Sequence, residues 1–172
     1  MVLNNYWKAL DILKDASYGS NANKSFGIKL IDGRNADIRY GVDVQYQMNC
    51  LVGNIDLKND LMTARLGKGT GTIQPTDYAL FDDVTSSFSD VQLSVASDAT
   101  DEGYSSIYTV SGQNNTEAAI TISEVGICKT FWISDYQAVY NQPAMFVKMI
   151  LENPITVPAG GTFQLNVQWL ER

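Results

Sequence analysis

Histidine is absent from this chain of 172 residues, and several other residue types are scarce. Without histidine the chain lacks the commonest general base and the commonest protein ligand for zinc. Acid–base or metal chemistry would have to depend on carboxylates alone. Serine and cysteine nucleophiles lack the imidazole partner of a catalytic triad. We therefore predict no catalytic residue, no metal site and no cofactor.

Cysteine is scarce as well, since the chain contains only Cys50 and Cys128. They are far apart in the sequence and form no CxxC pair, the usual sign of a zinc site or of thiol redox chemistry. Each lies in an apolar, strand-like segment, where a thiol acts as a small buried hydrophobe. We predict two reduced, buried thiols. A disulfide between them would require their strands to be neighbours.

Positive charge is limited to 12 Lys and Arg, against 19 Asp and Glu, for a net charge of −7. The basic residues are scattered, whereas nucleic-acid binding needs clustered ones to displace phosphate counterions. No apolar run is long enough to span a bilayer, and residues 1–16 lack the apolar core of a signal peptide. The sequence predicts no nucleic-acid partner, no membrane partner and synthesis in a reducing cytoplasm.

The most regular pattern in the sequence is at its end. Within residues 162–169, Phe163, Leu165, Val167 and Trp169 alternate with polar residues. This period of two is typical of a strand with one buried face. Apolar residues at 145–151 and 155–157 precede it, separated from it by a turn at 158–161. We predict that the chain closes on a β-hairpin.

Strands recur along the rest of the chain at short spacing, separated by turn residues. The other predicted strands are residues 26–31, 38–52, 61–66, 88–96, 105–110 and 118–128, with a bulge at 124–126. About eight strands in all are expected for a β-sandwich with Greek-key or jelly-roll connections. We predict an all-β fold, an antiparallel, jelly-roll-like β-sandwich domain over residues 19–172.

Residues 1–18 are predicted to form a separate, helical segment. Tyr6, Trp7, Leu10 and Leu13 recur at steps of three and four, which puts them on one stripe of a short amphipathic helix. Two roles remain open: the helix plugs an open end of the sandwich, or it docks on a neighbouring subunit. In the docking role, these four residues bind the partner, because buried aromatics dominate interface energies.

Two motifs suggest chemistry but are better explained as turns. The segment GKGTGT at 67–72 is similar to a phosphate-binding loop, but Lys68 precedes the later glycines and Pro75 follows in place of a helix. Glycines there allow backbone turns at the rim of the sheet. The segment NNT at 114–116 fits the glycosylation pattern and is interpreted as a polar turn.

Four segments together resemble small virion proteins of tailed bacteriophages. They are NNYWKAL at 4–10, GTGTIQPTDYAL at 69–80, ISEVGI at 122–127 and PITVPAGGTF at 154–163. In that group a "GTGT…P…DYAL" segment is followed by a strand ending in "EVG" and then by a "TVPAGGT" hairpin. The match spans most of the chain, although each segment is short.

The resemblance implies a structural protein of the particle, with a β-sandwich body and no catalytic residues. From it we expect a capsid auxiliary or decoration protein, located in the virion, that binds the head shell or neighbouring copies as a homo-oligomer. The alternative is a tail or neck component that binds a receptor or glycan through Tyr104, Tyr108, Tyr136 and Tyr140. An enzyme acting on carbohydrates on the same scaffold is a third possibility.

Overall fold

The computed structural model describes residues 1, 3–6, 25–39, 62–100, 103–134 and 139–171. These residues form antiparallel strands and little helix, which confirms the all-β prediction. A 3-10 turn covers Thr85–Ser87. The eight strands are β1 Ser25–Lys29, β2 Asn35–Arg39, β3 Met62–Gly67, β4 Phe88–Thr100, β5 Gly103–Asn114, β6 Ile120–Ser134, β7 Val139–Val157 and β8 Thr162–Glu171.

The strands are arranged in three sheets. β1 and β2 form a hairpin, β3, β6 and β7 form sheet I in the order β3-β6-β7, and β4, β5 and β8 form sheet II in the order β4-β5-β8. All recorded pairings are antiparallel. Sheets I and II are thus each built around a central strand, β6 and β5.

One apolar core is shared by the two sheets. Ile122 and Val125 of sheet I are buried in the same cluster as Val110 and Phe163 of sheet II. Phe163 also meets Phe88 edge to face, with 5.4 Å between ring centroids. A core formed by the inner faces of two sheets is the arrangement of a β-sandwich. The jelly-roll connection remains a prediction.

The predicted strands overlap observed ones where the structure describes them, and several observed strands extend further, but β1 ends at Lys29, short of the predicted end at residue 31. β6 continues to Ser134 and β7 runs without a break across residues 151–154. Register shifts against β7 lie between Ile122 and Glu124 and between Ile127 and Cys128, so they flank the bulge predicted at 124–126, whose residues pair in register. Most of the predicted strand at 38–52, including Cys50, lies outside the described residues.

The prediction of a closing hairpin is wrong. β7 pairs with β6 in sheet I, whereas β8 pairs with β5 in sheet II, so the turn at 158–161 carries the chain from one sheet to the other. Val157 and Phe163 on its two sides are both buried in the shared core. Alternation shows that a strand has one buried face but does not identify the strand it pairs with.

Asn114, at the end of β5, holds this turn in place. Its backbone N–H donates to the carbonyl of Gly161, and its carbonyl accepts from the N–H of Gly160, at 2.9 and 3.0 Å. Its side chain is fully buried and donates to the carbonyls of Ala118 and Val157 at 2.8 and 3.1 Å. The acceptor asparagine of the glycosylation pattern is therefore an internal clamp.

The N-terminal residues pack on sheet I. Met1 and Lys148 exchange backbone hydrogen bonds, and the N–H of Leu3 donates to the carbonyl of Phe146, as in an antiparallel strand. Residues 4–6 begin a helical turn. Leu3 and Tyr6 have no exposed surface, and Tyr6 belongs to the shared core. Trp7, Leu10 and Leu13, with the rest of the predicted helix, lie outside the described residues.

Cys128 is a buried free thiol, as predicted. Burial away from water raises the pKa of this thiol to about 12. At neutral pH it is protonated and shielded, so it acts as part of the apolar packing.

Replacing Asn114 tests its role as a clamp between the sheets. Asn114→Ala should lower the free energy of unfolding by about 2 to 3 kcal/mol, because buried carbonyls and the Thr116 N–H lose their partner. The matched control is Asn115→Ala, at an exposed position, which should change stability by less than about 1 kcal/mol. Urea denaturation compares the two variants. Equal effects would contradict the clamp.

Candidate functional site

Residues 67–82, which we call the glycine-rich loop, cover the outer face of sheet I. Leu80 of this loop is buried with Leu3 and Cys128 in a second apolar cluster. Neighbouring residues of a strand point to opposite faces, so Ile127 in the shared core and Cys128 in this cluster place the two clusters on opposite faces of sheet I. The loop and the N-terminal residues together form a cover.

A group of buried charges lies beneath this cover. The side chains of Lys148 and Glu124 have no exposed surface. The Nζ atom of Lys148 is 3.2 Å from Oε1 of Glu124, 3.1 Å from Oδ2 of Asp77 and 2.9 Å from the carbonyl oxygen of Ala79. The ammonium donates hydrogen bonds to Asp77 and Ala79, and Glu124 is its fully buried ion-pair partner. We call Asp77, Glu124 and Lys148 the buried ion cluster.

Phe81 connects the glycine-rich loop to this cluster in two ways. Its backbone N–H donates to both carboxylate oxygens of Glu124, at 3.1 and 3.0 Å. Its ring lies over Lys148, with Nζ 3.2 Å from the ring centroid, where the cation is attracted by the ring's quadrupole. Phe81 still has 45% of its surface exposed, so this contact is at the boundary with solvent.

Glycines of the loop allow this close packing. A Cβ atom on Gly69 would lie 2.5 Å from the Cβ of Phe81, and one on Gly71 would lie 2.9 Å from its ring. A Cβ atom on Gly67 would lie 2.5 Å from a carboxylate oxygen of Glu124. The glycines at every second position are thus explained by close contact with Phe81 and Glu124. The predicted turn conformation is wrong for them, since the described glycines with positive φ are Gly33 and Gly160.

The central strand of sheet I is shaped to receive the loop. The hydroxyl of Ser123 donates to the carbonyl of Gly69 at 3.0 Å. A Cβ atom on Gly126 would lie 2.5 Å from Cε of Met145 and 3.1 Å from Cδ2 of Leu80, so its absence leaves space for both side chains. Hydrogen bonding and close packing therefore fix the loop on β6.

The same loop contacts the β1–β2 hairpin. Nζ of Lys29 lies 4.0 Å from the ring centroid of Tyr78, and the ring also packs against Gly33. Gly33 has a φ of 87°, a backbone conformation that favours glycine at this turn. Tyr78 therefore links the hairpin to the cover of sheet I.

Asn5 joins the N-terminal residues to the same region. Its side-chain amide donates to the carbonyls of Lys29 and Met145 at 2.7 and 3.1 Å, and its Oδ1 accepts from the N–H of Lys29 at 3.0 Å. The N–H of Asn4 donates to the carbonyl of Pro75 in the loop at 2.8 Å. One short segment thus ties the hairpin, sheet I and the loop together.

Residues that follow the loop protect the edge of β3. Arg65 and Asp83 form an ion pair at 2.6 Å, and the N–H of Thr85 donates to Asp83 at 2.9 Å. Burial tends to raise the pKa of the Asp83 carboxyl, but the hydrogen bonds from Thr85 and Arg65 outweigh it and lower the pKa below its ordinary value. The ionised carboxylate therefore stabilises the fold.

The chemistry available at this site is structural. The Lys148 ammonium donates to Asp77 and Ala79 within the fold, and Lys68 of the loop lies 3.6 Å from Asp82. Among the described residues, no three or more Cys, Asp or Glu side chains are grouped as metal ligands would be. Over the same residues, no helix has the length and hydrophobicity needed to cross a bilayer.

The residues singled out from the sequence have different places in the structure. Tyr6 is in the core, and Trp7, Leu10 and Leu13 are not described. Tyr108, proposed as an exposed ligand-binding tyrosine, is wrong in that role, because it is 2% exposed and belongs to the core. It lies on the inner face of β5 between residues that face outward.

Sequence reasoning missed the buried ion cluster. Its one signal is a lysine in the middle of an apolar run, since Lys148 lies between Val147 and Met149. A buried lysine needs acidic partners. Nothing in the sequence indicates which carboxylates these are, because Glu124 and Asp77 come from distant segments.

Replacing Lys148 tests the energetic weight of the buried ion cluster. Lys148→Met should lower the free energy of unfolding by about 3 to 5 kcal/mol, because two carboxylates lose their counter-ion. The double variant Lys148→Met with Glu124→Gln should recover part of the loss. The control Lys68→Met removes an exposed charge, and we expect less than about 1 kcal/mol. Chemical denaturation measures all three, and a loss from Lys148→Met as small as the control's would contradict the account.

The Arg65–Asp83 pair predicts a pH dependence. The carboxyl's ordinary pKa is 3.8 and its pKa in the folded protein is lower. The stability it contributes is therefore fully present above the ordinary pKa and is lost as the pH falls through the folded-state value. The difference in unfolding free energy between the wild type and Asp83→Asn should narrow as the pH falls below about 4. A difference in unfolding free energy that does not vary with pH would contradict this prediction. Asp82→Asn, which also removes one carboxylate, is the control for the change in charge.

No protein-family model, curated protein or solved structure matches this chain significantly. The contacts described above and the sequence resemblance are therefore the observations from which a function can be proposed.

Proposed function

We propose that this chain is a structural protein of a tailed-bacteriophage virion. In this proposal it is a capsid auxiliary or decoration protein, and its task is to bind the head shell or neighbouring copies of itself. It acts as a rigid module and carries out no reaction. The proposal rests on the sequence resemblance together with the places that the resembling segments take in the fold.

One observation carries the proposal: three of the resembling segments meet at a single place. Asn4 and Asn5 bind the glycine-rich loop and sheet I, and the loop in turn binds Glu124 of the ISEVGI segment. The fourth segment, at 154–163, forms the crossing between the sheets. Segments that recur together in a protein group are expected to be in contact if they specify one fold. These contacts support a resemblance of whole domains.

The resembling segments make the domain rigid, and rigidity is a property that a particle component needs. The residues that recur build a covered sheet and a shared core, so they stiffen the domain. A rigid module loses little conformational entropy when it binds a partner. Trp7, Leu10 and Leu13 remain the proposed partner-binding residues of the N-terminal segment, whereas Tyr6 stabilises the domain itself.

The second candidate, a tail or neck component that binds a receptor or glycan, is less well supported. Of the four tyrosines assigned to it, Tyr108 lies in the core, and the side chains of Tyr104, Tyr136 and Tyr140 lie outside the part of the chain that the structure describes. It remains the alternative if the chain is found in the particle in low copy number.

Quantitative mass spectrometry of purified phage particles tests the proposal. With the major capsid protein as the reference for copy number, we expect hundreds of copies of the chain per particle, because a decoration protein follows the symmetry of the shell. Tens of copies or fewer would favour the tail or neck. Absence from the particle would contradict both candidates.

A variant test locates the docking residues. Trp7→Ala with Leu10→Ala and Leu13→Ala should reduce incorporation into particles while the domain stays folded. Lys68→Ala, in the glycine-rich loop, is the control and should be incorporated normally. Normal incorporation of the triple variant would contradict docking through the N-terminal segment.

A further inference from the structure

Two members of the buried ion cluster are an amine and a carboxyl that the fold holds in contact. Nζ of Lys148 donates to Oδ2 of Asp77 at 3.1 Å, although the two residues are 71 positions apart in the sequence. Lys148 belongs to β7 and Asp77 to the glycine-rich loop. An amine and a carboxyl in contact are the two components of an amide bond, and groups held in this way react as if they were highly concentrated.

A second carboxyl lies within reach of the same amine. Oε1 of Glu124 is 3.2 Å from Nζ of Lys148, and neither side chain has exposed surface. Gly126 is the residue paired with Lys148 in the ladder between β6 and β7, so β6 places no side chain directly opposite the lysine. The N–H of Phe81 donates to both oxygens of Glu124 and fixes its position. A carboxyl at this distance can take protons from the amine and return them.

The surroundings of the amine are apolar. The ring centroid of Phe81 is 3.2 Å from Nζ of Lys148. Leu80 and Met145 are buried in the apolar cluster on the same face of sheet I. Desolvation in an apolar pocket is one of the ways in which proteins make a lysine amine nucleophilic. The site is closed to ligands, so a reaction here involves only groups of this chain.

We propose that Lys148 and Asp77 form an intramolecular isopeptide bond, with Glu124 as the catalytic base and acid. Glu124 takes a proton from the ammonium, and Nζ of Lys148 then attacks Cγ of Asp77. An N–C bond forms and one C–O bond of the Asp77 carboxyl breaks. The oxygen leaves as water with two of the three ammonium protons, and Glu124 returns to its starting state. The reaction needs no oxidant, reductant or further reactant.

The contacts distinguish the roles of the two carboxyls. Asp77 keeps 17% of its side-chain surface exposed, which leaves the released water a path to solvent, whereas Glu124 has no exposed surface. The N–H of Gln74 donates to Oδ2 of Asp77 at 3.2 Å and stabilises negative charge that develops on this oxygen during the attack. Asp77 is therefore the group that reacts, and Glu124 is the group that transfers protons.

The bond joins the glycine-rich loop to β7 permanently. The ion cluster is the state from which the bond forms. The reaction occurs once in each molecule and uses no external substrate, so it agrees with a structural role and does not depend on the proposed function.

The intact mass of the full chain, measured after denaturation, tests this proposal. We expect the purified wild-type protein to be lighter by one water molecule than the mass calculated from its sequence. Fragmentation of its peptides should place the bond between Lys148 and Asp77. A mass equal to the calculated one, after the folded protein has been incubated at neutral pH, would overturn the proposal, and so would a bond from Lys148 to Glu124.

Variants test the roles of the three residues. Glu124→Gln keeps both reacting groups and should retain its calculated mass, whereas Asp77→Asn should lose ammonia in place of water. Lys68→Met is the matched control, because it removes an exposed lysine that lies 3.6 Å from Asp82, and it should lose one water as the wild type does. Circular dichroism shows which variants are folded.

Two results from the variants would contradict the proposal. A folded Glu124→Gln chain that loses water as completely as the wild type would overturn the role of Glu124. A water loss that disappears in Lys68→Met would overturn the assignment to Lys148. The wild-type mass decides whether the bond exists even if a variant fails to fold.

Discussion

A buried ammonium paired with carboxylates is the interaction on which the arrangement of this domain depends. Removing Lys148 from water is unfavourable unless its charge is paired and hydrogen-bonded, and its partners come from β6 and from the glycine-rich loop. The loop supplies its share from Ala79 and Asp77, which contact Lys148 of β7. The charge therefore determines where sixteen loop residues, 67–82, lie on sheet I. Close contacts at Gly67, Gly69 and Gly126 then fill the remaining space.

The two sheets differ as a result. Sheet I has its outer face covered by the loop and by the N-terminal residues, and its β3 edge is paired with residues 82–85. Sheet II, by contrast, presents exposed polar side chains at Gln164, Asn166 and Gln168 of β8.

The fold class could be predicted from local pattern, and the strand partners could not. The alternation in β8 identified its buried face because side-chain direction is a local property of a strand. Pairing is not local: the turn at 158–161 looks like a hairpin turn, but its backbone bonds go to Asn114, more than forty residues away in sequence. The buried ion cluster was missed for the same reason, since Asp77, Glu124 and Lys148 come together only when three segments meet. The place of Tyr6 on a helical stripe did not show whether it packs in the core or binds a partner, because both roles bury an apolar side chain.

The protection of the Phe81 amide against hydrogen exchange tests the central claim most directly. Phe81 is exposed at its side chain, so a slowly exchanging amide there would have to come from its bond to the buried Glu124 carboxylate. The account predicts that this amide exchanges as slowly as the β6 amides of sheet I, through unfolding of the domain. Exchange at the rate of an unprotected loop amide would contradict the claim that the ion cluster holds the loop on the sheet.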